Sequence, residues 1–160
     1  MRRFYLALTV TVLLFSLAFA QDNPGAEEAI KKIFTTSQDI TAETIVFEGA
    51  GFRVYRIYSE GKIIGRAVVL DEMGKVKPIT FLVGIDAQGQ VARVHVLEYR
   101  DIFGAEIKRR SFLRQFQGKS IKDTISIGSD IDAVTSATIS SEAATSAVRK
   151  ALNIVEELKK

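Results

Sequence analysis

Ala144, Ala147, Val148, Ala151, Leu152, Val155 and Leu158 recur at intervals of three and four residues, the spacing of one helix face. The same interval sets Ala26, Ala29, Ile30 and Ile33 on one side of a short helix over Ala26–Phe34. Asp22-Asn23-Pro24-Gly25 ahead of it reads as a turn, and Thr35–Thr41 as a polar loop. From Ile45 the period becomes that of strands. Phe52–Tyr58 and Ile63–Asp71 alternate around Glu60-Gly61 and predict a hairpin. Glu72-Met73-Gly74-Lys75 is the next turn. Pro78–Ile85 and Val91–Tyr99 form a second pair around Asp86-Ala87-Gln88-Gly89. Alternation puts Ala92, Val94 and Val96 on one face of the last strand with Glu98, and Arg93 and His95 on the other. Ile121, Ile125 and Ile127 suggest one further extended segment. The fold class that follows is α+β: an antiparallel sheet of four to six strands flanked by helices, with a long C-terminal helix.

The chain of 160 residues divides into three parts. Residues 1–20 join a basic start, Arg2-Arg3, to an apolar run ending Ala18-Phe19-Ala20, the layout of a cleaved signal peptide or of a retained N-terminal anchor. Residues 21–42 hold the first helix and loop, and 43–160 the main domain. Both readings of the leader predict export, to the periplasm or the outer face of the cytoplasmic membrane. No cysteine is present, which excludes disulfides, a lipoprotein anchor, thiolate-ligated clusters and c-type haem. Without Arg2 and Arg3 the formal charge of +3 falls close to neutrality, which gives no electrostatic case for nucleic acid. The single histidine, His95, has no ligand cluster at metal spacing and reads as an edge residue.

The densest run of small and hydroxyl residues, Asp132 to Ser141, stands just before the long helix. Such residues cap helices, and Thr138 or Ser140 ahead of Glu142 fits that role. A helix N-terminus also favours an anion. Asp132-Ala133-Val134-Thr135-Ser136-Ala137-Thr138 resembles the acceptor motif of the FMN-binding domain family, which includes subunits C and G of bacterial redox-driven ion pumps. That pattern is Asp, two residues, Ser/Thr, Gly, Ala, Thr; Ser136 stands here where Gly is usual. The resemblance implies that Thr138 carries FMN through a phosphoester. It implies that Thr135 and Ser140 bond phosphate oxygens, that Ser136 and Ala137 leave the hydroxyl accessible, and that Asp132 is read by a flavin transferase or braces the loop.

The resemblance spans roughly Val54 to Lys150 and includes Glu98, Gly104, Glu106 and the run Phe112-Leu113-Arg114-Gln115-Phe116-Gln117-Gly118-Lys119. Glu98 and Gly104 join the implied cofactor site; a salt bridge to a nearby arginine is the other reading of Glu98. Where pump subunits have Thr-Pro-Gly-Leu, this chain has Tyr99-Arg100-Asp101-Ile102, which fits a stand-alone relative better than a pump subunit. Lys108, Arg109, Arg110 and Arg114 make a basic face, either solvated, docking an acidic redox partner or touching flavin oxygens.

The function expected is that of an exported electron carrier with covalent FMN. A threonine hydroxyl needs a base, the motif contains no His or Lys and the chain has one His in total, so an external flavin transferase is expected as maturation partner. Membrane or periplasmic redox proteins are the expected electron partners. A flavin-dependent reductase of a small substrate, or a non-redox exported binding module, are the alternatives.

Overall fold

The computed structural model describes residues 23–159, so the leader reading of residues 1–20 lies outside the described residues. Five strands form one antiparallel sheet in sequence order: β1 (Asp39–Phe47), β2 (Ala50–Ser59), β3 (Lys62–Met73), β4 (Pro78–Asp86) and β5 (Val91–Tyr99). Helix α1 (Ala26–Ile33) precedes them. The short α2 (Arg110–Leu113) lies between two single 3₁₀ turns, and α3 (Thr138–Glu157) ends the described chain. The α+β class and the long C-terminal helix are as the periodicity predicts. Among the described residues no helix is long and apolar enough to cross a membrane.

Successive residues of a strand point to opposite faces, so each helix takes one face of the sheet. Ala144, Ala147, Val148 and Ala151 of α3 pack on Val68, Leu70, Phe81 and Val83. Alanines dominate this stripe, and small side chains let the helix lie close to the sheet. Ala29 and Ile30 of α1 pack on Tyr55, Ala67 and Leu82 of the opposite face. Strand β4 is covered on both faces, and Ile79 through Ile85 are all buried. Each fully buried Val, Leu or Ile side chain contributes about 1.5–3 kcal/mol. Glu72 of β3 fixes the long helix: it pairs with the Lys150 ammonium and accepts a hydrogen bond from Ser146 Oγ at 3.1 Å.

Three local expectations change. Residues 39–41 are not loop but the start of β1, an edge strand whose exposed side chains hide its alternation. It meets β2 across Glu48-Gly49, both at positive φ, a turn form that matches strand twist. The turn after β3 falls at 74–77, because β3 continues through Met73. The expected strand around Ile121 to Ile127 is absent; only single bridges join Gln90 to Ser120 and Ile127 to Ile131.

The faces of β5 also differ from simple alternation. Register shifts opposite Thr80/Phe81 and Gly84/Ile85 leave Leu97 and Ala92 as extra residues. Each bulge reverses the facing pattern. Val94, Val96 and Tyr99 therefore pack toward α3, and Ala92 and Leu97 toward α1. Glu98 pairs with Thr80, one residue from the α3-facing Ile79 and Phe81, and so points away from Val96.

In place of a strand, one carboxylate organises residues 119–131. Asp130 accepts hydrogen bonds from Lys119 Nζ (2.8 Å), Ser126 N (2.8 Å) and Ile125 N (3.1 Å). Ile125 is held at φ 44° yet is buried, so the strained loop anchors a core side chain. The Lys119 ammonium and the two backbone N–H groups lower the Asp130 carboxyl from 3.8 to about 2. A depressed carboxyl stabilises the fold above its unfolded pKa and loses that contribution as pH falls through its folded pKa. Between pH 3.8 and about 2, thermal melts of the wild type should fall more steeply than those of Asp130→Asn. Parallel slopes in that window would contradict the assignment.

Candidate functional site

Thr138 is the first residue of α3, as the motif position predicts, and its side chain is exposed. The residue before the helix is Ala137, and no side chain caps the helix N-terminus. The capping expectation for Thr138 and Ser140 therefore fails. Ser141 instead closes the motif from inside. Its buried hydroxyl donates to Ala137 O (2.9 Å) and accepts from Val134 N (3.1 Å). The positive end of the helix dipole is left open beside Thr138.

Ser136 sits at φ 65°. A side chain there is strained, which gives the physical reason that glycine suits this motif position. Ser136→Gly should raise stability by roughly 0.5–1 kcal/mol, the relief of strain less the entropy of the new glycine, or about 2 °C in Tm. A lowered Tm would show that the serine hydroxyl contributes more than the strain costs.

An open cleft of about 230 Å³ lies at this helix end, lined by Lys75, Phe103, Gly104 and residues 136–140. Its lip is apolar: Phe103 is 48% exposed and Ile139 45%, with Ile102 (74%) next to Phe103 and Val76 (52%) exposed on the adjoining turns. Large side chains exposed together mark a contact surface for a ligand or partner. Lys75 holds its ammonium 4.5 Å from the Phe103 ring centroid. The fold thus brings to Thr138 a cation that no spacing within the motif reveals.

Two braces hold the cleft. Asp101 is buried and accepts hydrogen bonds from Val76 N (2.9 Å), Lys77 N (3.4 Å), Ile102 N (2.7 Å) and Phe103 N (3.3 Å). It ties the 74–77 turn to the loop after β5. These N–H groups, Val76 first, hold its carboxyl below the usual range. Tyr99 supplies the second brace. Its hydroxyl donates to Phe103 O and lies 3.2 Å from Ser140 Oγ. Burial raises the Tyr99 pKa, which keeps the phenol protonated and donating. The residues that depart from the pump-subunit pattern are thus the ones that shape the loop here.

Gly104 is bound into the same contact. It has φ 81°, and a Cβ there would overlap Ser140 Oγ and press on the Ala137 Cβ at 3.3 Å. Ser140 is only 2% exposed, and its hydroxyl also reaches Phe103 O at 3.4 Å. Its hydroxyl braces the loop against α3, at the inner wall of the cleft. Asp132 is exposed; the Gln115 side chain grips its backbone, donating to Asp132 O (3.1 Å) and accepting from Asp132 N (2.8 Å). Thr135 is exposed on the same loop. Glu98 stands apart, on the sheet face opposite α3, paired to Arg100 at 2.6 Å as the salt-bridge reading expected. Sequence reasoning missed Lys75, Asp101 and Tyr99 as site residues. Only Tyr99-Arg100-Asp101-Ile102, flagged as a departure, pointed their way.

These residues fit FMN. An exposed hydroxyl, an uncapped helix N-terminus and a lysine suit a phosphate, and the apolar lip suits a flat ring. Among the described residues no group of three or more His, Asp or Glu is placed to hold a metal ion. A search of curated proteins finds no match. The family model of the FMN-binding domain matches residues 74–153, from the turn that carries Lys75 to the body of α3. With the motif and the cleft both inside that match, the chain belongs to the FMN-binding domain family, and FMN is its cofactor.

Proposed function

We propose that this protein carries FMN covalently on Thr138 and shuttles electrons in an extracytoplasmic redox chain. The observation that carries the reading is the exposed Thr138 hydroxyl at the uncapped N-terminus of α3, inside a cleft with an apolar lip. Helix N–H groups, Thr135 and Lys75 would hold the phosphate, and Phe103, Ile102 and Ile139 would shield the ring. Bound flavin supplies one- and two-electron transfer. The chain's own part is to orient the group, to keep Lys75 near its phosphate and to leave one side of the cleft open to a partner.

None of the residues lining the cleft carries a carboxylate or imidazole to activate the threonine. A flavin transferase would supply that base. The Thr138 Oγ–phosphorus bond forms as the pyrophosphate of FAD breaks, AMP leaves, and the hydroxyl proton passes to the transferase. Export rests on the leader-like pattern of residues 1–20.

The test is an intact mass and visible spectrum of the chain exported from a host with an active flavin transferase and purified through denaturation. A yellow chain heavier by FMN less one water, with the adduct at Thr138, is expected. An unmodified, colourless chain would overturn covalent attachment.

A further inference from the structure

A second cavity, of about 280 Å³, lies along the outer edge of β5, where the helical segment after the loop packs beside it. It is lined by Arg93, His95, Lys108, Arg110, Arg114 and Gln117, over Val94 and Leu113, and no carboxylate lines it. Among the described residues, Arg93, Lys108, Arg110 and Arg114 take part in no ion pair. The acid near His95, Glu28, is already paired with Lys32 at 2.6 Å. Partial burial, then the charges of Lys32 and Arg93, hold His95 below the usual imidazole range. Four cations thus share one concave surface without a counter-charge, an arrangement that repels itself and attracts an anion.

A chain of contacts through Tyr99 links this cavity to the cleft. Lys108, on its wall, places its ammonium 5.5 Å from the Tyr99 ring centroid, and the Tyr99 hydroxyl lies 3.2 Å from Ser140 Oγ in the cleft.

We propose that this basic cavity docks an acidic surface of the protein that exchanges electrons with the flavin, an inference that rests on the carrier reading above. Planar guanidinium groups bind carboxylates bidentately, and a concave site admits a protruding Asp or Glu. A membrane surface fits less well: peripheral membrane binding adds apolar insertion to charge, and the large exposed apolar side chains of this protein lie elsewhere. Docking here brings the partner onto the segment that Tyr99 ties to the cleft, and electrostatic attraction speeds the encounter.

The test measures binding of a fluorescently labelled hexaglutamate peptide by anisotropy at low ionic strength. The wild type should bind, and added salt should weaken binding. Thr138→Ala, which has no attachment hydroxyl, should bind as the wild type does, so docking is read independently of flavinylation. R110Q/R114Q should bind about tenfold more weakly, while K62Q/K122Q, which removes equal charge elsewhere, should stay within about twofold. Absence of binding, or equal loss in both double variants, would overturn the proposal. So would vesicles of phosphatidylglycerol and phosphatidylethanolamine binding through Arg110 and Arg114 while the peptide does not.

Discussion

On the proposed reading, Thr138→Ala should yield a folded protein that carries no covalent flavin. Thr138 is exposed at the first position of α3, and its side chain caps nothing. Alanine is the best helix former, so the substitution shifts stability by less than about 0.5 kcal/mol. The whole effect should fall on attachment: the intact mass should drop by one FMN less water, and the visible absorbance should leave with denaturant. Thr138→Ser keeps a hydroxyl at the same helix position and should retain the adduct. An adduct that survives Thr138→Ala would move the attachment to another hydroxyl of the loop, Thr135 or Ser136. Circular dichroism and a thermal melt, matching between variant and wild type, separate loss of attachment from loss of fold.

Gly104→Ala has the largest expected cost to stability. The backbone at φ 81° penalises any side chain, and the added methyl overlaps Ser140 on the buried side of α3. Left-handed backbone costs about 1–2 kcal/mol and overpacking a further 1–3 kcal/mol, together about 3 kcal/mol or roughly 6–12 °C in Tm. Gly61→Ala is the internal control. Gly61 has φ 73° with nothing within 4 Å, so it suffers the backbone term alone. In a Ser140→Ala background the Gly104→Ala cost should shrink by about 1 kcal/mol, because part of the clash is gone. Gly104→Ala should also lower flavin loading, since Phe103 next to it forms the lip of the cleft. Equal melting temperatures for Gly104→Ala and Gly61→Ala would show that the loop moves freely off α3, and would remove the close contact from the description of the site.

The helices were legible because their side chains follow one burial period, and the central strand β4 because a short apolar run bounded by turns marks a strand buried on both faces. Every α3 position from Ala144 to Val155 picked out by spacing is buried. Strand β1 was not legible at its start, because an edge strand with exposed side chains on both faces carries little alternation. The two bulges of β5 were hidden for another reason. An extra residue leaves no local mark but reverses facing beyond it, and it moved Glu98 to the far side of the sheet. The isoleucines after Ser120 mimic a strand, yet Ile125 is buried by a loop that Asp130 ties.

The site divides in the same way. Sequence by itself determined the chemistry at the helix N-terminus: a run of small and hydroxyl residues before an amphipathic helix puts Thr138 on its first turn, whatever packs around it. It also determined the family, because the motif and the Phe112–Lys119 run are contiguous. Only the tertiary structure decided what surrounds Thr138. Lys75 and Phe103 come from separate turns, and they meet because Asp101 gathers backbone N–H groups from both. Gly104 meets Ser140 because Tyr99, at the end of β5, pins the loop to α3. Such contacts join residues far apart in the chain through backbone groups that every residue carries, and no pattern of side chains along the sequence records them.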